Sequence, residues 1–189
     1  MPMVLRYNWW SLMARGLAAV IFSACVFLTF QVVASLVLWF AGYAFIDGLF
    51  ALMAAVRIPQ GATRWRSMML EGAAGIAAAI VTAVLMFSSR TPTQIPLLLI
   101  IAIWALLRGS LEFAAAVRLR SARAESLLIV MAVLSVVFGM TVMMGVFTVP
   151  LYLTLGVGTY AAVFGLLMML LAAKMRDFTI ALSPRLTRA

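Results

Sequence analysis

The chain has 189 residues, of which 67% are hydrophobic and 10% charged, and its mean hydropathy is +1.18. A water-soluble domain covers its surface with roughly 25% charged residues, so this composition excludes a soluble globule and makes a bilayer the expected solvent. The formal net charge of +9 comes with no histidine and one cysteine, Cys25, which excludes an intramolecular disulfide, His/Cys zinc sites, Ser-His-Asp triads and Cys-His dyads.

At the N-terminus, basic residues precede an apolar stretch ending in Phe22, Ser23, Ala24 and Cys25, loosely like a lipoprotein cleavage site. A lipidated cysteine is normally followed by a polar tether. Here Val26, Phe27, Leu28, Thr29 and Phe30 continue the apolar run, so the segment reads as a retained first helix. A spanning helix needs about 20 mainly apolar residues. Six segments qualify, at 12–30, 32–56, 68–87, 95–117, 127–147 and 151–173, within a single transmembrane domain over 1–189. The junction at Gln31 is tight enough to force a hairpin between the first two helices, and Thr148, Val149 and Pro150 join the last two almost as briefly. A slightly longer polar turn covers 88–94, and the tail 177–189 reads as a short interfacial or frayed segment.

The basic residues fall on one side of this arrangement. Arg6, Arg57, Arg64, Arg66, Arg118, Arg120, Arg123, Lys174, Arg176, Arg185 and Arg188 occupy the N-terminus, the even-numbered loops and the C-terminus, whereas the opposite loops hold only Arg90. Excess Lys and Arg mark cytoplasmic loops, so both termini are expected in the cytoplasm, with Trp9, Trp10 and Trp65 in the adjoining aromatic belt. These charges meet anionic lipid headgroups. No nucleic-acid partner is expected, because no aromatic-basic patch lies outside the spans.

The sequence repeats about every 55 to 60 residues, one helical hairpin per unit, over 9–58, 65–120 and 124–176. Gly48, Gly109 and Gly165 align in the second helices; nine residues later stand Arg57, Arg118 and Lys174, and five residues earlier Tyr43, Trp104 and Tyr160. The first helices align through Arg15-Gly16 and Glu71-Gly72, with Ala132 as the small residue of the third copy. Two spans per unit insert every copy the same way up, which places a pseudo-threefold axis along the membrane normal. Gly42, Gly48, Gly72, Gly75, Gly156 and Gly158 are expected to permit close helix contact, and the 14 methionines to serve as adaptable packing.

Three hairpins, a Trp and a Gly opening the first helix (Trp9 and Gly16, Trp65 and Gly72), an aromatic then Gly48, Gly109 or Gly165 in the second, and the Pro150 turn together resemble the HdeD family of bacterial acid-resistance membrane proteins. The resemblance covers nearly the whole chain, and Ala132 departs from it where a glycine is expected. It implies a bacterial inner-membrane protein linked to acid or other stress, and it brings no catalytic residues.

Five ionisable residues lie inside the expected spans: Arg15, Asp47, Glu71, Arg108 and Glu112. Each costs about 2.5–3.5 kcal/mol at a helix centre, so they should face protein or water and not lipid. Asp47 and Arg108 each stand ten residues before a basic flank, Arg57 and Arg118, or about 15 Å deep at 1.5 Å per residue. Phe164 takes that place in the third repeat. Glu112, Arg15 and Glu71 count to about 9 Å. The expectation is an Asp47–Arg108 pair above a shallower cluster of Arg15, Glu71 and Glu112, on a stripe that also carries Tyr43, Trp104 and Tyr160 and opens as a polar pocket to the cytoplasm.

Two readings of the cluster stay open: charges that lock helices together or snorkel to the interface, with Arg108 and Glu112 as an intrahelical pair, and a site for a ligand, ion or proton. No nucleophile, metal cage or phosphate loop accompanies the carboxylates, so no enzyme activity, metal or cofactor is expected. The function expected is that of a structural or accessory membrane protein with a stress role, the alternative being a small transporter or channel for protons or a small solute. Membrane lipids are the expected partners; a homo-oligomer or a membrane-complex partner is left open by equally apolar outer faces.

Overall fold

The computed structural model describes residues 9–29, 33–58, 63–88, 94–118, 125–145 and 149–186. Gln31, Arg90 and Thr148 lie outside these residues, as do Arg6, Arg120, Arg123 and Arg188 and the side chains of Arg64, Arg118 and Arg185. The described residues form six α-helices: α1 (Trp9–Leu28), α2 (Val33–Val56), α3 (Thr63–Ser88), α4 (Gln94–Arg118), α5 (Glu125–Met143) and α6 (Pro150–Leu186). All six are long and apolar enough to cross a membrane. Helix is the form such segments must take, because it satisfies backbone N–H and C=O groups within the segment where no water can.

Each helix is apolar on both faces. The inward face carries residues such as Phe40, Ile101, Met131, Leu153 and Leu171, which are fully buried, while Ile21, Leu38, Ile80, Ile103, Val137 and Leu166 stand outward. Outward leucines and isoleucines are what hydrocarbon solvates best, so burial inside protein and exposure to lipid draw on the same residue types.

Neighbouring helices of the chain pack together and α6 returns to pack on α1. The tightest seams join one hairpin to the next, α2 to α3, α4 to α5 and α6 to α1. Small residues make them. A Cβ on Gly48 would lie 2.8 Å from the carbonyl oxygen of Gly72, one on Gly109 2.9 Å from that of Ala132, and one on Gly165 2.7 Å from that of Gly16. Removing side chains there lets backbones approach closely enough for dispersion contacts, the main attraction available when lipid offers no hydrophobic drive. The residues that align between the repeats are therefore the ones that meet. Ala132 takes its place among them through its carbonyl. Hydroxyls add to the packing: the Ser23 Oγ donates to the Gly158 carbonyl at 2.8 Å across the α6–α1 seam, and the Ser11 Oγ to the Phe50 carbonyl at 3.0 Å between α1 and α2.

Three expectations are corrected. Helix α5 stops at Met143, short of residue 147, where Gly145 takes a positive φ of 75° and its N–H bonds the Val142 carbonyl, a left-handed cap that closes the helix. Helix α6 begins at Pro150, whose missing N–H costs nothing at a first turn, and runs unbroken through the tail to Leu186. Gly42 was expected at a helix contact, but no heavy atom lies within 4 Å of the place its Cβ would take.

One end of the bundle gathers the basic residues. There the Arg57 guanidinium lies 4.6 Å from the ring centre of Trp10 and that of Arg176 lies 5.6 Å from that of Trp9. Trp65 packs at the same end against a small cluster of Ala54, Ala55, Ile58 and Met68.

Candidate functional site

Four helices bring charged side chains to one place near the basic end. Asp47 of α2 sits at the centre, 3% exposed. The Arg15 guanidinium of α1 donates to it side-on, from Nε to Oδ1 at 2.8 Å and from Nη2 to Oδ2 at 3.1 Å. From α4, Arg108 donates end-on, from Nη1 to Oδ2 at 3.1 Å and from Nη2 to Oδ1 at 3.2 Å. A carboxylate offers about four lone-pair sites, and here two guanidinium forks fill all of them.

The chain of charges continues at both ends. Arg15 donates from Nη1 and Nη2 to the Glu71 Oε2 of α3, both at 3.3 Å. Arg108 donates from Nε to the Glu112 Oε1 one turn further along α4, at 3.3 Å. Its remaining N–H groups reach the Tyr43 Oη at 3.1 Å and the Met168 Sδ at 3.8 Å, so all five donors of this buried arginine have acceptors.

The five candidate residues thus converge, in an order that differs from two separate layers. Asp47 and Arg108 pair as the count from their basic flanks anticipates. Arg15, however, joins Asp47 as well as Glu71, and Glu112 pairs with Arg108 and not with Arg15. An arginine side chain is longer than one helical pitch of about 5.4 Å, so a depth difference of one turn does not separate its charge from the next layer.

Aromatic rings close the network on the side away from the basic end. Trp104, one turn before Arg108, lies 5.0 Å from its guanidinium, and the Phe164 ring of α6 lies 4.2 Å from it. The third repeat, lacking a charge at Phe164, therefore answers the other two with a π face. Tyr43, Trp104 and Tyr160 are all buried. Tyr43 stacks on Phe22 with ring centres 4.8 Å apart and meets Trp104 edge-on at 5.8 Å. Tyr160 stacks on Phe138 at 4.1 Å and shares a 2.9 Å hydrogen bond with Ser135.

Phe22, Phe138 and Ser135 are the contributors that sequence reasoning missed. The signal was present in the repeat: Phe22 and Phe138 each stand six residues after the aligned small residues Gly16 and Ala132, and Ala78 holds that register in the second repeat. Tyr160→Phe leaves the stacking in place and strands the fully buried Ser135 hydroxyl. It should lower stability by about 1 kcal/mol, read from the unfolding midpoint in mild detergent.

A cavity with ≈ 20 Å³ of room for the centre of a water molecule adjoins the network at its basic end, lined by Arg15, Ser67, Glu71 and Glu112 among apolar neighbours. Among the described residues no three His, Cys, Asp or Glu side chains come together as a metal ligand set.

Six apolar helices packed around a buried charge network, with repeat-related small residues at their seams, define a multi-pass membrane protein built on an internal repeat. The chain belongs to the family of the short repeat of unknown function, DUF308, whose model matches residues 14–87 and again 75–144. The first match takes in α1 to α3 and the second runs from within α3 to the end of α5. No curated protein and no solved structure matches the chain.

Proposed function

We propose that this is a non-enzymatic protein of the bacterial inner membrane, HdeD-like, with both termini in the cytoplasm and a structural or accessory role under acid or related stress. The three hairpins are read as turning about a pseudo-threefold axis along the membrane normal, a reading supported by the matching Gly48–Gly72, Gly109–Ala132 and Gly165–Gly16 approaches. The orientation rests on the basic residues clustered at one end of the bundle. The stress role rests on the resemblance in sequence.

The observation that carries the non-transport reading is the closed face of the charge network. Asp47 and Arg108 spend their hydrogen-bonding capacity on each other, on Arg15, Tyr43, Glu112 and Met168. Beyond them lie Phe22, Tyr43, Trp104, Phe138 and Tyr160, and among the described residues no Asp, Glu, Lys or Arg of the spans lies on that side. A proton or solute entering from the basic end meets no further charged side chain to carry it.

Purified protein in liposomes should therefore pass protons and small ions no faster than protein-free vesicles. A flux that is present in the wild type and abolished by Asp47→Asn and by the milder Glu112→Gln would replace this reading with a transporter. Cells lacking the protein should survive acid exposure less well, and re-expression should restore them; equal survival removes the stress role.

A further inference from the structure

The charges of the network do not cancel. Two guanidiniums, of Arg15 and Arg108, face three carboxylates, of Asp47, Glu71 and Glu112, so the fully ionised cluster carries one negative charge in excess. The excess is localised by the hydrogen bonds. Asp47 is saturated from two sides, whereas Glu112 gives only Oε1 to Arg108. Its Oε2 is buried without a hydrogen-bond partner, on a residue 4% exposed. A carboxylate oxygen in that state is costly unless something positive completes it.

The cavity lies against this oxygen's side chain. Glu112, Glu71, Arg15 and Ser67 supply its polar lining, and Met131 and Met168 are among the apolar residues that complete it. A water-sized occupant needs about 10–15 Å³ of such room, so ≈ 20 Å³ holds one small particle. The ionisable groups around Glu112 are Arg108 on its own helix, Arg15 on α1, Glu71 on α3 and the Tyr160 phenol on α6, while α5 presents Leu128 and Met131.

We propose that this cavity is a site for one small monovalent positive charge, held between Glu112 and Glu71: a sodium, potassium or ammonium ion, or a proton on the unpartnered Glu112 oxygen. A single charge completes the balance of the cluster, and a divalent ion would overshoot it. The occupant sits among Arg15, Glu71 and Glu112, so the site locks helices α1, α3 and α4 together and stands whether or not the protein has a stress role.

The test is thermal unfolding of the purified full chain in neutral detergent, at mildly alkaline pH and constant ionic strength, in sodium, potassium, ammonium or choline chloride. The expected result is a saturable rise in midpoint with at least one small cation and none with choline, which is too large to enter. Glu112→Gln keeps the shape, removes the excess charge and should abolish the response; Glu71→Gln should weaken it. A midpoint indifferent to the cation, together with a protonated-carboxyl infrared band present in the wild type and missing from Glu112→Gln, assigns the charge to a proton. Indifference to the cation with no protonated-carboxyl band in the wild type overturns the proposal, a result that needs neither variant to fold.

Discussion

Arg108→Ala is expected to destabilise the protein by about 3–5 kcal/mol, the cost of leaving a buried charge without its partner. The loss has several parts in this structure. Asp47 gives up two of its four hydrogen bonds, Tyr43 its donor and Glu112 the contact of its Oε1, while Trp104 and Phe164 lose the cation between them. Arg57→Ala is the matched control, because Arg57 is exposed and its contact with Trp10 is of the kind worth about 0.5–1 kcal/mol. Unfolding midpoints of the two variants in the same mild detergent provide the measurement. Combining Arg108→Ala with Asp47→Ala should cost less than the two single changes summed, by about 0.5–3 kcal/mol, since each single change strands what the double change removes. Equal midpoints for Arg108→Ala and Arg57→Ala, or strict additivity, would mean that the network does not hold the helices.

The large expected cost follows from where the pair sits, and that location was legible in the sequence. Asp47 and Arg108 stand ten residues before Arg57 and Arg118 at equivalent places of a repeat, so counting from the basic end sets them level on their helices. Tyr43 and Trp104, one turn earlier, fall on the same stripe by helical periodicity, and both reach Arg108. What such counting cannot resolve is a difference of one turn, about 5.4 Å, when the side chain concerned is an arginine. Hence Arg15 bridges Asp47 and Glu71 instead of joining Glu112. The ends of the helices were less legible than their middles for a different reason. Hydropathy follows lipid contact, so it says nothing of a helix such as α6 that continues beyond its apolar stretch through Lys174, Arg176 and Asp177. Nor does it separate a glycine facing a neighbouring backbone from one facing lipid, because both lie within equally apolar surroundings.

That last ambiguity yields a contrast within a single helix. Gly48→Ala should destabilise the bundle by about 1–3 kcal/mol, the usual cost of forcing a methyl group into filled space. Its Cβ would lie 2.8 Å from the Gly72 carbonyl oxygen and 2.9 Å from the Ile76 nitrogen, backbone atoms of α3 that can yield only if the two helices part. Parting them also strains the charge network one residue away, since Asp47 on α2 is tied through Arg15 to Glu71 on α3. Six residues earlier, Gly42→Ala meets nothing within 4 Å, so the same substitution there should be neutral or stabilise by up to about 1 kcal/mol through the better helix propensity of alanine. The stabilising sign would come from reduced freedom of the unfolded chain, without any new contact. Midpoints measured side by side in detergent decide the matter. If Gly48→Ala is as stable as Gly42→Ala, the close α2–α3 seam is not what holds these helices, and the pseudo-threefold reading built on its two counterparts at Gly109 and Gly165 loses its packing basis.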